Sequence, residues 1–231
     1  MKCDLTQHNS DNIRSDQERD TYHDEGFFLQ PPDETTHLGA SSSSNWKIYA
    51  NIQKSTTLSG RYDLQYWFFY PYNDSSSVAG VDLNHEGDWE HITVTLDSAA
   101  TFQNAYYAAH DNEGLRYTSS QSSFADSTGV IATNAQKLTG GFTHPVVYSA
   151  IGTHASYPTV GTHSRTGLPD DTTSAGTAWN TMNSVVNVGE ISYPLNGQTF
   201  IKYGGLWGEI GQTTESTGPD GPAFHGAWTT Y

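Results

Sequence analysis

Alternation of apolar and polar positions is clearest over residues 88–96, where Asp88, Glu90, Ile92, Val94 and Leu96 share one face of an extended chain. That pattern predicts a strand. Residues 62–70 carry aromatic side chains on both faces (Tyr66, Trp67, Phe68, Phe69, Tyr70), which predicts a central strand covered on each side and ended by Pro71. Residues 46–52 alternate as well. Residues 105–110 and 115–118 predict a hairpin turning through Asp111, Asn112, Glu113 and Gly114. Residues 145–151 predict a β-branched strand, followed by candidates at 185–191 and 199–203 and an edge piece at 206–210. A short first strand is expected at 26–29, and residues 177–183 carry the best helix signal. Many short strands between Gly, Pro and Ser/Thr-rich turns predict an all-β chain, a single-domain β-sandwich with long loops.

Composition narrows the function. The 231 residues hold 10 Lys+Arg against 25 Asp+Glu, a formal charge of -15, too few cations for the basic stripe that nucleic acid requires. The same balance disfavours an anionic membrane surface as a purely electrostatic partner. No run approaches the roughly 20 apolar residues of a membrane span. Residues 1–25 read as a polar N-terminal arm and 26–231 as one domain. The chain opens on polar Met1, Lys2, Cys3 and Asp4, so an export signal is expected to have been removed or to be of another kind. The lone Cys3 forms no internal disulfide and leaves the redox compartment open.

Candidate chemistry concentrates at residues 84–96. Asp88 and Glu90 head a row of core positions, and two adjacent carboxylates taken from water need protonation, a cationic partner or a metal. No Lys or Arg lies between Arg61 and Arg116. A divalent cation resolves the conflict, with His85 or Asp74 reaching in from the preceding loop; the alternative is a strand end whose acids sit in water. Residues 144–158 run from a strand into a Gly turn presenting His154, Ser156 and Tyr157, and His110 closes its own strand. Each histidine alone reads more readily as a hydrogen-bonded loop residue. Ser149 and Ser156 lack a Gly-x-Ser-x-Gly elbow, and no zinc-enzyme spacing occurs. Carboxylates two apart on one strand also point the same way, unlike a glycosidase pair flanking a bond.

The order of aromatic strand and Pro71, then His85, Glu86, Gly87, Asp88, Trp89 and Glu90, then 106–110, 145–148, 152–158 and Gly218, Pro219, Asp220, Gly221, Pro222 before Trp228 resembles the Vps62-related family, across most of the chain. Residues 85–90 are also similar to the Gly-His-Arg-His-Asp-Trp-Glu heptad of the Nep1-like necrosis-inducing proteins, secreted cytolysins of actinoporin-like and fungal-lectin-like architecture. That resemblance implies a cation (Mg²⁺ or Ca²⁺, with Mn²⁺ as a further candidate) held by His85, Asp88, Glu90 and either Asn73 or Asp74, gripping a glycan or sphingolipid sugar headgroup. The heptad's Gly, Arg and second His are here Asn84, Glu86 and Gly87.

The function expected is therefore metal-dependent recognition of a glycan or glycolipid headgroup by a secreted, toxin-like or surface-binding module. His110, His154, Tyr157 and Trp89 are its further ligand contacts, and membrane-surface contact comes through the headgroup. Two other classes stay open. One is a metal-dependent hydrolase of phosphodiesters or glycosides with His154 or His110 as base; the other is a structural assembly protein without ligand. Oligomeric state is left open.

Overall fold

The computed structural model describes residues 28, 29, 31, 34–56, 58–75, 77–110 and 113–230. The arm expected at 1–25, Cys3, and the turn residues Asp111 and Asn112 lie outside them. As expected the chain is all-β: the described residues form strands and short 3-10 turns, with one four-residue α-helix, α1 (Ala227–Thr230).

The meander comes first, with β1 (Ile48–Lys54), β2 (Tyr62–Asn73), β3 (His85–Leu96), β4 (Phe102–Tyr107) and β5 (Leu115–Tyr117). Three two-stranded ribbons follow: β6 (Phe124–Ala125) with β7 (His144–Pro145), β8 (Tyr148–Ser149) with β9 (Ser156–Tyr157), and β10 (Gly161–His163) with β11 (Asp171–Thr173). Then β12 (Val185–Asn187) returns beside β1, completing a six-stranded sheet of order β12-β1-β2-β3-β4-β5, and β13 (Gly189–Glu190) pairs β14 (Tyr193–Pro194).

Several boundaries differ from the sequence pattern, each for a local reason. β2 runs through Pro71 because its pairing with β1 stops at Trp67, so the missing proline N–H deprives no β1 partner. β4 spans Phe102–Tyr107, three residues earlier than expected, entering past a register shift at Thr95/Leu96. The 145–151 strand is broken because the Val146 N–H turns to the Ser123 carbonyl. The 185–191 strand breaks where Val188 accepts from Leu195 and Gly189 adopts φ 72°. At 199–203 the Tyr203 N–H folds back on Phe200, giving a 3-10 turn, Thr199–Lys202. Phe28 and Leu206 are reduced to isolated bridges. No helix forms at 177–183, where the Ser184 N–H closes a turn on Thr181 and its carbonyl accepts from Ile48.

The chain divides into two compact units, Met1–Ser41, Phe69–Trp89 and Asn187–Thr229 in one, Ser42–Phe68, Glu90–Val186 and Thr230–Tyr231 in the other. In the second unit, one face of the sheet buries Ile92, Val94, Ala105 and Tyr107, packed by Leu64, Tyr66, Phe68, Phe102 and Val147. Val147 and Phe124, which meets Phe102 edge to face, supply a second layer from the ribbons, and the Tyr107 hydroxyl donates to the Val146 carbonyl. The alternate positions make a buried polar face. There Thr95 donates to Asp63 at 2.6 Å, Trp67 donates to Gln65 at 3.3 Å and packs at a tilt against His91, and Arg116 donates to Asn104 at 2.8 Å. The first unit is held by aromatic rings: Trp89, Trp207, Phe69 and Phe200 pack with centroids 4.9 to 5.9 Å apart.

Candidate functional site

The start of β3 lies close against the backbone at Trp207. Gly87 adopts φ 61°, and a Cβ there would run into the Trp207 carbonyl, so this position of the motif admits no side chain. Asp88 follows, 6% exposed, and Glu90, two residues on, is equally buried at 6%. These acids do not sit in water. The reading of a solvated strand end is thereby overturned, because β3 is covered from Gly87 onward on both faces.

The Asn73 amide donates to Asp88 Oδ2 across a long 3.3 Å, while Ser75 donates to Asn73 Oδ1 at 2.5 Å. Of the two residues expected opposite Asp88, the structure thus brings in Asn73; Asp74 is exposed just beyond β2. His85 donates from Nδ1 to the Gly87 carbonyl at 2.7 Å, since a carbonyl only accepts. Its Nε2 is therefore the bare nitrogen of the neutral ring, the arrangement a metal-ligating histidine adopts. Among the described residues no group of three or more His, Cys, Asp or Glu side chains is arranged to hold a metal. Trp89, expected to stack on a sugar, is 5% exposed and belongs to the aromatic core.

Further acids collect in the same unit around Tyr72. Burial is the main cause of that hydroxyl's raised pKa; the Asn84 hydrogen bond opposes it, and Asp82, Asp74 and Glu86 add to it. His37 stacks on Tyr72 at 4.1 Å and places Nε2 3.7 Å from Glu86 Oε1.

A second cluster, entirely within the other unit, gathers His110 and Tyr157 on a residue the sequence did not single out. Asp171, 2% exposed, accepts from His110 Nε2 at 2.8 Å, Tyr157 at 2.7 Å and Thr153 at 2.6 Å. Burial opposes its ionisation, yet these three hydrogen bonds and the His110 charge hold its pKa at about 2. Tyr157 is pushed far up by burial and by Asp171, so its hydroxyl stays protonated. His163 lies flat on Tyr157 at 3.6 Å and pairs with Thr173 at 2.9 Å; burial lowers its pKa. His154, in the left-handed region at φ 59°, turns its carbonyl to Ser149 and its N–H to Ala150. Asp171 sits on a three-residue strand inside a Gly/Ser/Thr-rich stretch, where neither alternation nor spacing marks it. The only cue is the Asp170–Asp171 couple itself.

The family model described as vacuolar protein sorting-associated protein 62 matches residues 6–208, and the chain belongs to that family. The Saccharomyces cerevisiae protein TDA6, named for an association with vacuolar protein sorting, is 28% identical over 183 residues, 73% of this chain and 35% of that protein. The chain thus spans about a third of the length of that curated relative. Among solved structures, Necrosis and Ethylene inducing Protein 2 from the causal agent of cocoa's witches' broom disease is 23% identical over 52% of this chain and 49% of its own, with TM-score 0.35. The protein NLPPya in complex with glucosamine is 16% identical over 75% and 63%, with TM-score 0.39.

Proposed function

We propose that the protein recognises a glycan or glycolipid headgroup through a divalent cation held at the start of β3, as a secreted, toxin-like or surface-binding module. The observation that carries this reading is the burial of Asp88 and Glu90 at 6% exposure each, two residues apart on one strand. Buried carboxylates of like charge are costly side by side, and a divalent ion offsets both at once. The donor set suits Mg²⁺, Ca²⁺ or Mn²⁺: carboxylate oxygens, the Asn73 amide oxygen and the His85 Nε2 lone pair. Asn73 now turns its NH₂ to Asp88 and its oxygen to Ser75. Loading would therefore rotate the amide, exchanging the 3.3 Å hydrogen bond for ligation by Oδ1. A bound cation would supply open positions for vicinal sugar hydroxyls, a chemistry that needs no turnover.

Isothermal titration with Ca²⁺, Mg²⁺ and Mn²⁺, repeated on Asp88→Asn, tests the site; a glycan array read with and without EDTA tests the ligand. Saturable binding to one of the three, lost in the variant, with EDTA-sensitive glycan signals, is the expected outcome. Equal heats for variant and parent defeat the cation assignment, and EDTA-insensitive glycan binding defeats the linkage between them.

A further inference from the structure

We infer that the β1–β2 hairpin docks on an anionic lipid surface, with Ile52, Leu58 and Tyr62 entering the interface and Lys47, Lys54 and Arg61 meeting the headgroups. The hairpin and every group invoked with it lie in the unit that contains β4 and the ribbons. No divalent cation takes part.

The charge of the chain is unevenly spread. No Asp or Glu lies between Glu34 and Asp63, and three of the 10 Lys+Arg, namely Lys47, Lys54 and Arg61, fall inside that run. A chain at -15 overall thus carries a basic hairpin. The global balance disfavours a membrane that attracts by charge alone, but exposed charges more than about 10 Å apart are largely screened at ordinary salt. What a surface meets is the local set. Lys47 and Lys54 are exposed and form no ion pair among the described residues. Two acids stand near: Asp97, on which the Arg61 charge acts, and Asp63, which is buried and takes the Thr95 hydroxyl.

The apolar part continues the core past its cover. Ile48 and Ala50 are buried on β1, and Ile52, opposite Leu64 in register, keeps their face yet is 55% exposed. Lys54 pairs with Tyr62 on that same face, and Tyr62 is 43% exposed. The connection adds Leu58 at 38%. Its backbone is held in place, with the Ser55 N–H on the Arg61 carbonyl at 2.9 Å and the Leu58 N–H on the Ser55 hydroxyl at 3.2 Å. Three large apolar side chains are therefore grouped in the open at one end of a hairpin, among cations.

Shape and chemistry choose the partner. Residues 58–60 are exposed, and a Cβ added to Gly60 would meet nothing within 4 Å, so the hairpin end stands out from the sheet. A projecting end suits a yielding surface better than a small ligand, which needs a concave seat. Lys and Tyr each join an apolar stem or ring to a polar tip, the combination that sits at a headgroup boundary with aliphatic groups just beneath it. An acidic protein or a second copy of the chain would match the charge alone; the projecting Ile52 and Leu58 favour lipid.

The test is flotation of the full chain with vesicles of phosphatidylcholine alone and of phosphatidylcholine with phosphatidylserine, free of glycolipid and in EDTA. Binding to the phosphatidylserine vesicles is expected, with little to phosphatidylcholine alone and a steady loss as NaCl rises. Lys54→Gln should weaken it about fivefold, and Lys54→Gln with Lys47→Gln about 25-fold. Leu58→Asn should weaken it at low and high salt alike while keeping the parent's urea midpoint, because Leu58 stands outside the core. A Leu58→Trp variant should be quenched by brominated acyl chains beyond the quenching of the parent. Absence of flotation, equal flotation on both vesicles, or indifference to both Lys54→Gln and Leu58→Asn overturns the proposal. So does a concentration-dependent dimer in light scattering that Lys54→Glu dissolves, which would give the hairpin to a second copy. Because glycolipid and divalent cations are both absent, failure here leaves the cation reading standing, and failure of the cation titration leaves this surface standing.

Discussion

Asp88 and Asp171 are both buried carboxylates, yet the chain provides for them differently. Asp171 accepts three short hydrogen bonds from neutral or titratable donors, at 2.6 to 2.8 Å, and is held ionised by them. Asp88 receives an amide N–H at 3.3 Å and is followed two residues later by a second buried acid. A carboxylate saturated by protein donors has a structural reason to be ionised. One with a second buried acid two residues along the same strand is where we propose that a bound ion sits. The comparison teaches that two buried acids can differ in the charge around them: a histidine bonds to Asp171, while a second acid lies two residues from Asp88.

The largest effect expected from this contrast is at Asp171. Replacing it with Ala leaves the His110, Thr153 and Tyr157 donors without their shared acceptor, and removal of one partner from such a buried set costs about 3–5 kcal/mol. Urea unfolding measures it. At Asp88 the Asn substitution should cost much less in the absence of cation, because an amide can take over the contact with Asn73. Its signature is instead the loss of ligand stabilisation: at a cation concentration about 100 times Kd, the parent should gain about 2.7 kcal/mol that Asp88→Asn does not. If Asp88→Asn without cation falls as far as Asp171→Ala, the two acids are alike and the contrast is broken.

Acid sharpens the same distinction. The Asp171 pKa is depressed in the folded state, to about 2 from an ordinary 3.8, so its contribution is fully present above 3.8 and is lost as pH falls from there towards 2. The shift corresponds to about 2 kcal/mol. Asp97 and Asp126 are lowered as well, mainly by a backbone hydrogen bond to Thr101 and by the Thr128 side chain respectively. The difference between parent and Asp171→Asn across pH 5 to 2 isolates the buried group. A constant difference would show that Asp171 is not the titrating acid.

What the sequence made legible follows from where its periodicity was strong. β3 is long and covered on both faces, so alternation over 88–96 located it and forced the question of what two acids were doing among core residues. The same reasoning identified β1 and β2, although β1 lies two residues later than expected and β2 runs on through Pro71 to Asn73. It failed at 145–151, 185–191 and 199–203, where the direction of a single N–H decides between strand and turn. Asp171 escaped for a different reason: its partner His110 is 61 positions away, and the strand that carries it is three residues long. His110 and Tyr157 were visible individually, but the carboxylate that joins them belongs to tertiary structure.

The smallest expected effect concerns Thr153, which tests whether Asp171 is over-determined. Its hydroxyl is the donor to Asp171 Oδ1, at 2.6 Å, while His110 and Tyr157 share Oδ2. Thr153→Val is near-isosteric and should cost about 1 kcal/mol, the net worth of one hydrogen bond, because the carboxylate keeps two donors. It should also move the acid limb of stability upward, since one of the three bonds that lower the Asp171 pKa is gone. A Tyr157→Phe change removes a donor from the other oxygen, so the double variant measures coupling between the two sides of one carboxylate. Additive costs mean each donor acts alone and Asp171 tolerates partial loss. A double variant markedly worse than the sum means the first loss is absorbed by the remaining donors and the second is not, which is the behaviour expected of an acid whose ionisation is held by redundancy.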